Sequence, residues 1–260
     1  MADRYREKWT REETILAYEL YCRTPFSKIS KSNKDIIALA DILGRTPSSV
    51  GLKMANLAHY DPELIARNVK GMSNTSKMDR EIVAEFNDDW EELSYQAQLI
   101  LSALKGIELT SLNIGVETDP IPEGIDIERE TKIRIGQYFF RSSVLAAYGN
   151  SCCITGIKKQ ELLVASHIKP WKDSNARTER TNPSNGLCLN AMHDKAFDRG
   201  LITIDEKYRI IFSSRLLDVG MDDITRDWFY SYENREISLP DKFRPKKEFI
   251  QYHNDVIFQR

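Results

Sequence analysis

The sequence predicts an α+β protein: a helical N-terminal part, then a C-terminal part in which short strands hand polar residues to a helix. Three observations predict it. Apolar residues recur at helical spacing through residues 9–60. Residues 110–130 hold Gly115, Pro120, Pro122 and Gly124 with no helical period, the mark of a connection between folded regions. From residue 162 onward, short apolar runs alternate with turn residues and lead into a polar helix. We therefore divide the chain into a helical unit at 1–70, an acidic helix and linker at 71–130, and a third unit with an aromatic tail at 131–260.

The elements follow in order. Thr10 precedes Arg11-Glu12-Glu13 and caps a first helix striped by Ile15, Leu16, Leu20 and Tyr21. Ile36, Ile37, Leu39, Ala40, Ile42 and Leu43 form a second helix that stops at Gly44. Thr46 caps a third, with Pro47 in its first turn. Val50, Leu52, Met54 and Leu57 lie on that helix, with Lys53, Asn56 and His59 among its polar positions. Residues 71–77 are rich in Ser, Asn and Gly and read as a hinge. Residues 77–105 read as one helix anchored by Ile82, Val83, Phe86, Trp90, Leu93, Leu99, Ile100 and Leu104. Another helix starts near Thr131 and carries Ile135, Phe139, Phe140, Val144 and Leu145. Cys152 to Gly156 reads as a short strand entering a turn, and Leu162 to Ala165 as a strand that delivers Ser166 and His167. Asn185 sits on a loop and strand, Asp194 and Asp198 on a helix, and residues 200–205 pair with 208–212 as a hairpin. The aromatic residues of the tail are expected to pack on the core.

A hydrophobic content of 41% supports a core and a charged content of 29% a soluble surface. No apolar run reaches the length of a membrane span. The start, Met1-Ala2-Asp3-Arg4-Tyr5-Arg6, lacks a signal-peptide apolar region, so a bacterial-type cytoplasmic location is expected, with no membrane partner. Cys22, Cys152, Cys153 and Cys188 form no CxxC pair, which disfavours a zinc site and leaves buried thiols as the expectation. The net charge of −2 does not announce a nucleic-acid binder. However, acid is concentrated in residues 79–130, most densely at Asp88-Asp89-Trp90-Glu91-Glu92. Both flanks are basic in consequence, which is compatible with phosphate contacts.

The chemistry gathers in one region. Of the 4 histidines, His167 and His193 bracket Asn185 and stand beside Asp194 and Asp198. Metal-dependent hydrolysis of a phosphodiester needs a base, a residue to orient it, and hard ligands for a divalent ion. An imidazole, with a pKa of about 6.5, suits the base. Asp194 and Asp198 lie one helical turn apart and share a face, with His193 about 100° round the helix. Taken singly, each has an ordinary explanation: a hydrogen-bonded buried histidine, a solvated helix face, a structural ion pair. Their ordered co-occurrence favours the functional reading.

Two resemblances sharpen this. Trp9-Thr10-Arg11-Glu12-Glu13 with Leu43-Gly44-Arg45-Thr46-Pro47-Ser48-Ser49-Val50 resembles Myb-like helix-turn-helix domains, which implies DNA contacts from Arg45, Ser48 and Lys53. Cys153-Ile154-Thr155-Gly156, Ala165-Ser166-His167-Ile168-Lys169-Pro170-Trp171, Asn185-Gly186-Leu187 and Phe197-Asp198-Arg199-Gly200-Leu201-Ile202 resemble the HNH endonuclease family, in its restriction-type branch. That resemblance implies a ββα-metal core holding one divalent ion per site, and cleavage leaving 5′-phosphate and 3′-hydroxyl ends. His167 becomes the general base. Asn185 would orient its imidazole through the side-chain amide or backbone carbonyl, and could approach the metal. The family's helix ligands, counted from Asn185, fall on Asp194 and, in some members, Asp198. Either these two bind the ion while His193 contacts phosphate, or His193 binds directly. Ser166 occupies a position where many members carry an Asp or His ligand. Carboxylate ligands favour Mg²⁺ or Mn²⁺. Lys169, Lys172, Arg177 and Arg180 are candidate contacts to the DNA backbone. His253 resembles a recurring tail position whose role the sequence does not reveal.

The function expected is thus a type II-like or modification-dependent restriction endonuclease acting on double-stranded DNA, with no small-molecule cofactor. A homodimer would bring two active sites to two strands. The rival readings are a nicking or low-specificity defence nuclease, and a non-catalytic DNA-binding regulator with a decayed HNH fold, for which Ser166 is the best support.

Overall fold

A computed structural model of the chain describes residues 7–68, 75–87, 89–109, 126–216 and 220–260. The expected hinge and linker lie outside the described residues at 71–74 and 110–125.

Helix α1 (Arg11–Arg23) begins with a reciprocal capping box. The Thr10 hydroxyl accepts from the Glu13 amide at 3.2 Å, and the Thr10 amide donates to the Glu13 carboxylate at 2.9 Å. From Glu13 to Cys22 the helix is buried all round, because five other helices surround it. Helix α2 (Lys34–Leu43) is capped by Asn33 and closed by Gly44, whose φ of 64° is the left-handed conformation that glycine adopts without strain. Helix α3 (Pro47–Ala58) starts on Thr46 and Pro47 as expected.

The faces of α3 differ from expectation. Leu52 is 49% exposed, whereas Lys53 is buried. Val50, Lys53, Met54 and Leu57 fall at i, i+3, i+4 and i+7, so Lys53 lies in the middle of the inward stripe and Leu52 off it. A short helix α4 (Pro62–Ala66) follows.

The single helix expected over 77–105 is two, α5 (Lys77–Phe86) and α6 (Trp90–Lys105). Asn87 ends the first and Asp89 caps the second, accepting from the Glu92 amide. Such side chains compete for backbone partners and so favour helix ends over interiors. Leu99 and Leu104, expected as anchors, are exposed.

Helix α7 (Ile127–Ala147) starts earlier than Thr131, because Asp126 caps it. It packs on α1 and α6 on one side. On the other it supports strand β1 (Leu163–His167) and strand β2 (Gly186–Asn190). One continuous apolar cluster therefore runs from Ile15 of α1 to Ile250 of the tail. β1 and β2 pair antiparallel, with His167 opposite Gly186 and Leu163 opposite Asn190. A side chain at Gly186 would run into Val144 and the Phe140 ring of α7, so only glycine lets β2 start that close.

Helix α8 (Ala191–Asp198) follows β2 without a loop, and the Asn190 side chain caps it. Strands β3 (Ile202–Ile204) and β4 (Ile210–Phe212) form the expected hairpin. Residues 152–156, expected as a strand, form a turn instead, tied to β2 by a bond from the Cys153 amide to the Cys188 carbonyl at 2.8 Å. All four cysteines are free and buried.

Helix α9 (Asp223–Tyr230), helix α10 (Lys247–Tyr252) and a π-helical turn (His253–Ile257) complete the chain. The tail reaches back to the beginning. Lys242, 1% exposed, donates from Nζ to the carbonyls of Tyr21 and Thr24 and lies 4.3 Å from the Tyr21 ring centroid. It thereby caps the C-terminus of α1. Burial pushes its ammonium down to about 8. Among the described residues, no helix is long and apolar enough to cross a membrane.

Candidate active site

His167 is the last residue of β1. Its ring lies flat on Phe140 of α7, with centroids 3.8 Å apart and planes 9° apart, and meets Trp171 edge-on at 5.7 Å. Its Nε2 is 2.9 Å from the Arg180 carbonyl oxygen. A carbonyl only accepts, so Nε2 carries the hydrogen and Nδ1 is the nitrogen able to take a proton.

Asn185 does something other than expected. Fully buried, it touches neither the imidazole nor the carboxylates of α8. Its Oδ1 accepts from the Lys169 amide at 2.8 Å. Its Nδ2 faces the Lys169 carbonyl at 3.1 Å, and the Ser174 hydroxyl and Glu179 carbonyl at 3.3 Å each. Its backbone carbonyl accepts from Ile168. Asn185 therefore staples the loop between β1 and β2. Through that loop it fixes the Arg180 carbonyl that holds His167, one step removed from the ring.

His193 also departs from expectation. It is fully buried among Trp228, Phe229 and Tyr232, with centroids 4.7, 5.2 and 5.5 Å away. Its Nδ1 accepts from the Asn190 amide at 2.8 Å, and burial pushes its pKa down to about 4. Asp194 is half-buried and Asp198 exposed, on one flank of α8 that faces away from this cage. The 100° step between neighbours on a helix puts His193 on the inward side, so it can neither join the two carboxylates nor reach phosphate. Ser166 precedes His167 on the strand and so points to the opposite face. It is 3% exposed, and its Oγ has no hydrogen-bond partner.

The basic residues separate in the same way. In the loop, Lys169 pairs with Glu179 at 2.7 Å and lies over Tyr252, and Arg180 donates inward to the Trp171 and Ser174 carbonyls. Arg177 is exposed but bonds Asp89 at 2.7 Å, and Lys172 is exposed. In the N-terminal bundle, Arg45 is buried over Trp9, bonded to Glu13 at 2.7 Å and to the Glu7 and Lys8 carbonyls. Lys53 is buried against Asp79 at 2.7 Å. The structure thus turns Arg45 and Lys53 inward, away from any DNA surface, while Ser48 is exposed. Nothing in their local sequence signals this, because Asp79 lies on another helix.

His253 has a structural place. It stacks on Phe197 of α8 at 3.8 Å, its Nε2 donates to the Phe197 carbonyl, and its Nδ1 pairs with the Thr203 hydroxyl at 2.8 Å. Burial lowers its pKa to about 4. It fastens the end of α8 to β3 and the tail.

Among the described residues, no three His, Cys, Asp or Glu side chains converge as a metal cage. The donors that α8 presents are hard oxygens: the Asp194 and Asp198 carboxylates, one turn apart. Mg²⁺ commonly takes one or two carboxylates and keeps its waters, so this donor chemistry fits such an ion better than zinc.

An antiparallel hairpin that runs straight into a helix, with a histidine at the end of its first strand, is the frame of the ββα-metal nucleases. Residues 152–205 match the HNH_2 family, described as HNH endonuclease. Among solved structures, a modification dependent TagI restriction endonuclease aligns with a TM-score of 0.32 at 16% identity, over 45% of this chain and 37% of that one. The alignment thus spans well under half of that protein's length. No curated protein matches the chain.

Proposed function

We propose that the chain is a metal-dependent endonuclease of the restriction type, hydrolysing phosphodiester bonds in double-stranded DNA. The observation that carries this reading is the fixed imidazole of His167. The Arg180 carbonyl holds Nε2–H, which makes Nδ1 the basic nitrogen, and Phe140 holds the ring plane at the end of β1. In this reading Nδ1 takes a proton from the attacking water. Asp194 and Asp198 would hold a divalent ion, Mg²⁺ or Mn²⁺, which when bound polarises the scissile phosphate and neutralises charge on the leaving oxygen. Exposed Lys172 meets the DNA backbone. Two strands need two cuts, so the working form is a homodimer.

The test is incubation of purified protein with unmodified and cytosine-modified plasmid, with Mg²⁺, Mn²⁺ or EDTA, beside His167→Ala. Discrete metal-dependent fragments that vanish in the variant are expected, with a rate loss of about 10²–10⁴. Normal cleavage by His167→Ala would overturn the mechanism. A smear in place of bands would remove the restriction-type reading and keep the nuclease. The preferred plasmid reports whether modification is required.

A further inference from the structure

A cavity of about 130 Å³ lies where the N-terminal helices meet the nuclease segment. Its walls are aromatic: Trp90, with Phe243 edge-on at 5.3 Å and Tyr18 at 6.2 Å. Its polar lining residues include Asp61, Asn87, Asn182, Ser184 and Lys246. Trp90 is 3% exposed and its Nε1–H has no hydrogen-bond partner, although a buried indole N–H normally finds one. Ser184 is 5% exposed, and neither its hydroxyl nor the Asn87 side-chain amide makes a hydrogen bond among the described residues; the Asn87 backbone amide donates to the Val83 carbonyl. Phe243 has a φ of 56°, a left-handed conformation rare for a bulky side chain and typical of ligand clamps.

We propose that this cavity receives a single pyrimidine-sized nucleobase swung out of the duplex. An apolar cavity of about 150 Å³ accepts benzene, so the volume matches one six-membered ring. Aromatic walls suit the π-faces of a base. The unpartnered donors and acceptors at Trp90, Asn87 and Ser184 suit its hydrogen-bonding edge, which is how enzymes read an extruded base. The position links recognition to cleavage. Ser184 directly precedes Asn185, the staple of the loop that holds His167, so a base seated against Ser184 bears on the catalytic geometry. The inference rests on the nuclease reading, because that reading supplies DNA as the partner.

The experiment measures binding by fluorescence anisotropy in EDTA, using short duplexes of one sequence, either fully paired or with one mismatched cytosine. A mismatched base is cheaper to extrude, so the mismatched duplex is expected to bind about tenfold tighter. Ser184→Leu, which fills the cavity, and Asn87→Ala, a milder change near the chain surface, should each bring that ratio close to one. Thermal melts check that both variants fold. Equal binding of the two duplexes by the unaltered protein overturns the inference, as does a preference that survives in both variants. If neither duplex binds while plasmid cleavage persists, the cavity inference alone falls. If binding and cleavage are both absent, the nuclease reading falls and takes the inference with it.

Discussion

The N-terminal bundle and the nuclease segment use the same residue types in opposite ways. In the bundle, Arg45 and Lys53 are sealed inside, each against a carboxylate from a different helix and both over the Trp9 ring. Their charge specifies how α1, α3 and α5 meet. In the β1–β2 loop, Arg180 also turns inward, but it shapes the loop whose own carbonyl holds the His167 imidazole. A basic residue is therefore no guide to phosphate contact until its helix face is known. The bundle spends its polar groups on assembly and the loop spends them on aiming one ring.

The sharpest way to break this contrast is Arg45→Ala. It leaves Glu13 buried without its cation, and should cost about 3–5 kcal/mol of stability, read by chemical denaturation. DNA affinity per folded molecule should stay the same. A loss of affinity at unchanged stability would return Arg45 to the DNA surface. Next comes acid sensitivity. His193 and His253 are held near pKa 4 by burial, below their unfolded value of about 6.5. The unfolded chain binds protons first, so stability is full above about pH 6.5, falls as pH drops toward 4, and levels off below. Each histidine contributes up to about 3 kcal/mol to that loss. His193→Phe should remove about half of the slope in melts across this range. An unchanged slope would mean that its cage is open to water.

Asn185→Ala tests the loop. Cleavage should drop about 100-fold, as expected when a positioning group is lost, with bound metal unaffected in a calorimetric titration. Weakened metal binding would place Asn185 at the ion after all. Smallest is Lys172→Ala. It should weaken DNA binding uniformly across sequences and reduce the salt slope by about one. No change in slope would move the phosphate path elsewhere.

Much of the frame is legible in the sequence because it is local. The Thr10 and Thr46 caps, the Gly44 stop, the strand ending at His167 and the helix carrying Asp194 and Asp198 each depend on residues within a few positions. What escapes the sequence is set by distant partners. His193 reads as a ligand until Trp228 and Phe229 of α9 and Tyr232 just after it close over it. Lys53 reads as solvent-facing until Asp79 arrives from α5. Asn185 sits in a recognisable motif, yet its bonds to Lys169, Ser174 and Glu179 depend on how the loop closes. The α5–α6 break was visible in Asn87 and Asp89, but the apolar period ran through it and masked the caps.

The Lys242 ammonium on the carbonyls of Tyr21 and Thr24 has a consequence for synthesis. The first helix emerges from the ribosome long before the lysine that finishes its last turn. A nascent chain therefore holds its opening bundle unfinished until translation has passed the nuclease segment. Protease pulses on stalled chains should find α1 vulnerable until Lys242 has left the ribosome exit tunnel and protected soon after. In such an order the β1–β2–α8 segment and the helices it packs on mature together.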